Sequence, residues 1–110
     1  MKAISTGHNL TAGTKTTVYT VPTGYYAKWN LSYVTNATGQ NKTVTVLWYD
    51  FSTTTEIIIL QGYTLSPTQF VKFNDGAYVV LEEGDEVRIT SEAGSTMATT
   101  NTFELYRKGE

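Results

Sequence analysis

The chain has no cysteine and only one histidine, His8, in 110 residues. Disulfide stapling, thiolate zinc sites and Cys–His nucleophiles are therefore excluded. A Ser–His–Asp arrangement would have to use His8 as its base. His8 lies in Thr6-Gly7-His8-Asn9, and no nucleophile elbow accompanies it. It reads as a residue of an exposed arm and not as a catalyst. Charge is also scarce: 16% of residues are charged, against roughly 25% in an average globular protein. Lys and Arg are scattered singly and the net charge is −2, so no basic field exists to hold a nucleic-acid backbone. The longest strongly apolar run, Ile57 to Leu60, is far too short to span a bilayer. Met1 to Ser5 carries one Lys and no apolar core, so it does not read as a secretory signal. These absences predict a protein made in a cytosol, with neither a nucleic-acid nor a membrane partner.

What is present points to strands. Hydrophobic residues make up 40% of the chain and about a fifth is Thr, whose branched Cβ suits a pleated surface. A disordered chain would be more charged and less aromatic. In Ala27 to Tyr33, residues Ala27, Trp29, Leu31 and Tyr33 alternate with Lys28, Asn30 and Ser32. That alternation gives an extended chain one apolar and one polar face. Similar runs cover Thr16 to Val21, Tyr25 to Thr35, Lys42 to Phe51, Glu56 to Gln61, Gln69 to Phe73, Tyr78 to Leu81, Glu86 to Ser91 and Met97 to Tyr106. Between them stand turn signals such as Pro22-Thr23-Gly24, Asn74-Asp75-Gly76 and Glu82-Glu83-Gly84-Asp85, where Pro fixes φ and Gly permits a positive one. Seven to eight strands at this spacing predict an all-β, antiparallel sandwich of jelly-roll type, with a closed barrel as the alternative. The length suits one domain. Residues 1–15 form an N-terminal arm or edge strand, and residues 16–110 form the sandwich.

Two segments carry a resemblance. Val18-Tyr19-Thr20-Val21-Pro22-Thr23-Gly24, followed by an alternating strand that ends at an Asn-rich loop including Asn36, resembles the opening of many small all-β proteins of tailed bacteriophages. Leu81-Glu82-Glu83-Gly84-Asp85-Glu86-Val87 is similar to a hairpin near the end of the same domains. The resemblance implies a non-enzymatic virion protein: a capsid decoration or cement protein, a head-fibre base or a small tail component, often trimeric. Its partners would be the major capsid protein or other virion proteins, its cofactors none and its location the virion.

The candidate chemistry is thin. Glu82, Glu83, Asp85 and Glu86 cluster around Gly84 and could offer oxygen ligands to Ca²⁺, but their spacing is that of a charged turn and not of an EF-hand. Asp50, Glu56 and Glu104 form no suggestive pair for glycoside hydrolysis. Triplets suited to N-glycosylation begin at Asn9, Asn30, Asn36 and Asn41, as chance provides in so Thr-rich a chain, and without a signal sequence they stay unmodified.

Aromatic residues make up 13% of the chain. Trp29, Tyr33, Trp48 and Phe103 are assigned to the core. Tyr25, Tyr26, Tyr49, Phe51, Tyr63 and Tyr78 are harder to bury together, and such side chains are enriched where proteins meet proteins or sugars. With Ile58, they are the candidate interface residues. The Ile57 to Leu60 strand would be an aggregation hazard at an open edge, so a covering partner is expected, with a homo-oligomer (a trimer above all) as the first expectation. A tail, neck or fibre adaptor and a carbohydrate-binding module are the alternatives.

Overall fold

Turn chemistry divides the chain where the Gly and Pro signals stand, and β-branched and aromatic runs extend between them. The computed structural model describes residues 1–73 and 79–109. These form nine strands: β1 (Lys2–Asn9), β2 (Thr16–Thr20), β3 (Tyr25–Asn36), β4 (Lys42–Asp50), β5 (Thr55–Leu65), β6 (Phe70–Phe73), β7 (Val79–Leu81), β8 (Glu86–Ser91) and β9 (Met97–Arg107). Nine exceeds the seven to eight expected because the N-terminal segment is itself a strand. The Asn74-Asp75-Gly76 turn and Tyr78 lie outside the described residues.

The strands make two antiparallel sheets. One runs β1-β9-β3-β6, with β7 also pairing β3, and the other runs β2-β8-β4-β5. The chain crosses between the sheets at every connection except β4–β5 and β6–β7, and the order is consistent with a jelly-roll path whose last strand in the first sheet is split into β6 and β7. The core lies between the sheets, as in any sandwich. It is built from Val18, Ala27, Trp29, Val34, Val44, Val46, Leu65, Leu81, Val87, Ile89, Met97 and Phe103, closed by Leu10 and Val21. Phe103 is wholly buried, and the Tyr19 ring from the opposite sheet stacks on it at 4.1 Å. This burial raises the Tyr19 phenol above its ordinary pKa, because the charged form loses its water.

Several positions differ from the sequence reading, each for a physical reason. The alternation of Ala27, Trp29, Leu31 and Tyr33 does not persist. A β-bulge falls between Trp29, opposite Phe103, and Leu31, opposite Thr102. One extra residue switches every following side chain to the other face. Ser32, Val34 and Asn36 are therefore buried, while Leu31 and Tyr33 are only half-buried. Tyr33 is not a core residue. Its ring stacks on Phe70 at 4.8 Å.

Polar groups lie inside as well. Trp29 Nε1 donates to Asn101 Oδ1 at 3.2 Å, Asn101 Nδ2 donates to Thr99 Oγ1 at 3.1 Å, and Thr99 Oγ1 donates to the Tyr33 carbonyl at 2.9 Å. Such a chain satisfies groups whose burial would otherwise be costly. His8 is not in an exposed arm. It sits half-buried in β1, opposite Thr99 in the β1–β9 ladder. The strand expected over Glu56 to Gln61 runs on to Leu65, through residues 62–65 that read as loop. Gly62, at φ 57°, takes up an irregularity that a residue with a Cβ would resist.

Candidate docking surface

The two segments that carry the phage resemblance, some sixty residues apart in sequence, meet in space. Val21 N donates to the Asp85 carbonyl at 3.0 Å, and Gly84 N donates to the Val21 carbonyl at 3.0 Å. Gly24 N donates to Glu83 Oε2 at 2.7 Å, and Lys108 Nζ lies 3.2 Å from Glu83 Oε1. The Gly24 N–H and then the Lys108 ammonium hold the Glu83 carboxyl below its ordinary pKa. Asp85, only 1% exposed, accepts from Trp48 Nε1, Phe51 N and Glu82 N, each at 3.0 Å. Its two oxygens are thus spent on N–H donors that fix the β4–β5 turn and the β7–β8 turn. Among the described residues no group of three or more His, Cys, Asp or Glu could hold a metal ion. The Gly84 segment is a structural clasp.

Asn36 does the same work at the other end of β3. Its Nδ2 lies within 3.0 Å of the Gln40 and Leu65 carbonyls and 3.3 Å from that of Ser66, and its Oδ1 accepts from Thr38 N at 2.8 Å. It ties the loop after β3 to the end of β5.

The clasp and the Asn36 knot bracket β5, a free edge of its sheet. Here the surface changes character. β1 and β2 approach each other across one margin of the sandwich, which leaves β5 and the β6–β7 pair along the opposite margin. Seven large apolar side chains are exposed among the described residues. Six of them, Phe51, Ile57, Ile58, Tyr63, Phe70 and Val80, belong to this second margin or to the turn that leads into it; the seventh is Met1. Ile58 is 54% exposed and Phe51 57%. The Phe51 ring leans on the clasp so closely that a Cβ at Gly84 would lie 2.6 Å from its Cδ2. The two non-glycine residues with positive φ among the described residues, Thr54 at 51° and Thr68 at 62°, stand just before and just after β5. A β-branched residue there is strained.

Beside Ile58, the outer face of the same sheet carries a compact charge network. Glu56 receives Lys15 Nζ at 2.9 Å and Arg88 Nη1 at 2.8 Å, and Arg88 Nε donates to Glu86 at 2.9 Å. These contacts, Lys15 first and Arg88 second, hold the Glu56 carboxyl below its ordinary pKa. The Arg88 guanidinium also sits 3.8 Å over the Tyr49 ring. Leu47, whose ladder partners are Ile58 and Arg88, is only 7% exposed although it is not part of the central core.

The candidate interface residues therefore divide. Tyr49, Phe51, Ile58 and Tyr63 lie along β4, β5 and the turn between them. Tyr25 and Tyr26 lie on β3 in the other sheet, and Tyr78 falls outside the described residues. Tyr25 packs against the core and receives Arg107 Nη2 on its hydroxyl at 3.3 Å. Tyr26 stacks on Tyr106 at 5.1 Å. The Tyr26, Tyr33 and Tyr49 rings each turn a face to a neighbouring side chain. Sequence reasoning passed over Ile57, Phe70 and Val80. For Ile57 the signal was available, because the whole Ile57 to Leu60 run reads as apolar on both faces. For Phe70 and Val80 nothing marked them as exposed, since which face of a short strand points outward depends on its register with β3. No protein-family model and no curated protein matches this sequence.

Proposed function

We propose that this chain is a non-enzymatic structural protein of a tailed-phage virion, a capsid decoration or cement protein that attaches through protein–protein contacts made by the β5 margin. The observation that carries the reading is the apolar free edge. Monomeric soluble proteins manage open edges with charge, proline or cover, and they rarely leave large apolar side chains grouped at one place unless a partner docks there. Here Ile57, Ile58 and Tyr63 stand exposed on an edge strand whose flanks are fixed by the Asp85 clasp and the Asn36 knot. A preformed surface of this kind binds without the cost of ordering itself. The two segments that resemble phage proteins supply the virion context, and they are the segments that build the clasp.

Burial of several hundred Å² of apolar surface per copy is worth several kcal/mol at ~25 cal/mol per Å², before association entropy is subtracted. Repeated over a shell, such increments reinforce it. The test is copy number. Quantitative mass spectrometry of gradient-purified particles from a host carrying the gene should find this chain in hundreds of copies per particle. A few to a few dozen copies would place it in the tail or neck, and its absence from the particles would overturn the virion reading.

A further inference from the structure

We infer that the outer face of the β1-β9-β3-β6 sheet binds an acidic oligosaccharide, a sugar chain that carries a carboxylate. The inference rests on strand register, and neither on the virion reading nor on the β5 margin.

Register places eight residues on one surface. Phe70, Thr35, Ala98 and Asn9 are successive ladder partners across β6, β3, β9 and β1, and Lys72, Tyr33, Thr100 and Gly7 form the row beside them. The residues that alternate with them turn the other way: Val34 and Thr99 are buried and Val71 packs on the core. Both rows therefore face outward. Ile58 belongs to the outer face of the opposite sheet, where its ladder partner Leu47 also pairs with Arg88. The two surfaces are distinct.

The face has relief. Gly7 has no side chain and Ala98 only a methyl, and a trough of about 220 Å³ runs along residues 7–9 and 98–100. The Thr100 hydroxyl and the Asn9 amide stand beside it, and each can donate and accept hydrogen bonds. At the far end of the rows the Phe70 ring is 50% exposed. The Tyr33 ring stacks on it at 4.8 Å, with 13° between the planes. A ring held in this way offers a flat apolar surface at little entropy cost. A sugar has the matching form, an apolar C–H face for the ring and hydroxyls for the trough.

Size separates a sugar from a protein. Four strands cover three spacings of ~4.8 Å, and the two rows lie ~7 Å apart, so the footprint is on the order of 100 Å². A protein partner needs about 800 Å² on each side. Charge then selects an acidic sugar. Lys72 is exposed and is the one charged residue in the two rows. The nearest acid by register on this face, Glu104, lies two ladder rows beyond and is held by Asn30 and Tyr106. A lone ammonium beside an exposed ring and a hydroxyl-lined trough is complementary to a carboxylate on a sugar.

The experiment is an NMR titration of the full chain with tetragalacturonate, with sialyllactose and with neutral cellotetraose. The expected result is saturable shifts at the amides of residues 7–9, 33–35, 70–72 and 98–100 with at least one acidic probe, and at least tenfold weaker binding of cellotetraose. Which acidic probe responds separates a uronate ligand from a sialate one. Gly7→Val fills the trough. A Cβ there meets nothing nearer than 4.0 Å and valine suits a strand, so the fold should survive while binding falls at least tenfold. Lys72→Gln should weaken binding severalfold and remove the preference for acid. Ile58→Lys, on the opposite sheet, should bind as wild type. No saturable shift with either acidic probe, an equal response to cellotetraose, or full binding by folded Gly7→Val and Lys72→Gln would overturn the inference. The virion reading has its own readout in copy number. A chain that binds the acidic sugar but is absent from particles refutes only the virion reading, and a chain abundant in particles that binds no acidic probe refutes only this site.

Discussion

The two margins of the sandwich are built from the same kind of element and differ in what they expose. At one, β1 pairs with β9 at eight consecutive positions without a register shift, and its exposed side chains are Lys2, Ala3, Ser5 and Asn9, with Gly7 beside them. Ile4 turns inward onto the core, and Leu10 at its end belongs to the core. At the other, β5 is bulged, entered through strained turns, and carries Ile57, Ile58 and Tyr63 in solvent. The first margin shows that this chain can finish an edge with polar residues. The apolar exposure of β5 is where the proposed docking role lies.

The comparison breaks most visibly at the first margin if β1 is removed. Deleting residues 1–10 strips a full edge strand from β9 and takes Ile4 and Leu10 from the core. The expected loss is at least ~4 kcal/mol, or failure to fold cooperatively, since a buried Leu or Ile alone is worth about 2–5 kcal/mol; urea unfolding followed by Trp fluorescence reads it. If the truncated chain unfolds like wild type, β1 is a detachable arm and the contrast between margins is lost. Asp85→Ala comes next. Removing the acceptor leaves three N–H donors unsatisfied in a buried turn, so about 3 kcal/mol should be lost by the same assay. The clasp supports Phe51 and the start of β5, so association should weaken as well.

Gly84→Ala has a smaller effect with two causes: the φ of 84° disfavours a side chain, and its Cβ would strike the Phe51 ring. A loss of about 1–2 kcal/mol is expected, with a changed Phe51 environment detectable by NMR. Thr54→Asn goes the other way. Asn tolerates the left-handed conformation that a β-branched residue resists, so stability should rise by about 0.5–1 kcal/mol in thermal unfolding.

The pH dependence is smaller still. In the fold the Glu56 carboxyl lies below its ordinary pKa because of Lys15 and Arg88, and that of Glu83 because of Gly24 and Lys108. A depressed carboxylate contributes stability that is fully present above its unfolded pKa and is lost as pH falls through the folded one. Acid titration below the ordinary Glu range, near ~4.3, should therefore lower stability, and Glu56→Gln should flatten part of that fall. Both carboxylates are exposed, so salt should weaken the effect.

Much of this was legible in the sequence. The Thr-rich alternating runs and the Gly- and Pro-marked turns predicted a two-layer antiparallel sandwich. The apolar run at Ile57 to Leu60 marked β5, a free edge on which Ile57 and Ile58 are exposed. What the sequence hid was phase. Periodicity says that side chains alternate, but a single inserted residue near Asn30 reverses which ones point inward. Leu31 and Tyr33 thus left the core, while Ser32 and Asn36 entered it. Asp85 read as one acid among four on a charged turn; its burial depends on Trp48 and Phe51, which are distant in sequence. The exposure of Phe70 and Val80 depends on pairing with β3, which no local pattern encodes.

The central claim is that the margins are unequal: one closes the fold, the other docks. The most direct test measures binding of the purified chain to particles stripped of it, comparing Ile58→Lys on β5 with Asn9→Lys, an exposed residue of β1. The account predicts at least a tenfold loss of binding, about 1.4 kcal/mol, for the first and wild-type binding for the second, with both variants folded. Equal binding by the two variants, or a larger loss from Asn9→Lys, would contradict it.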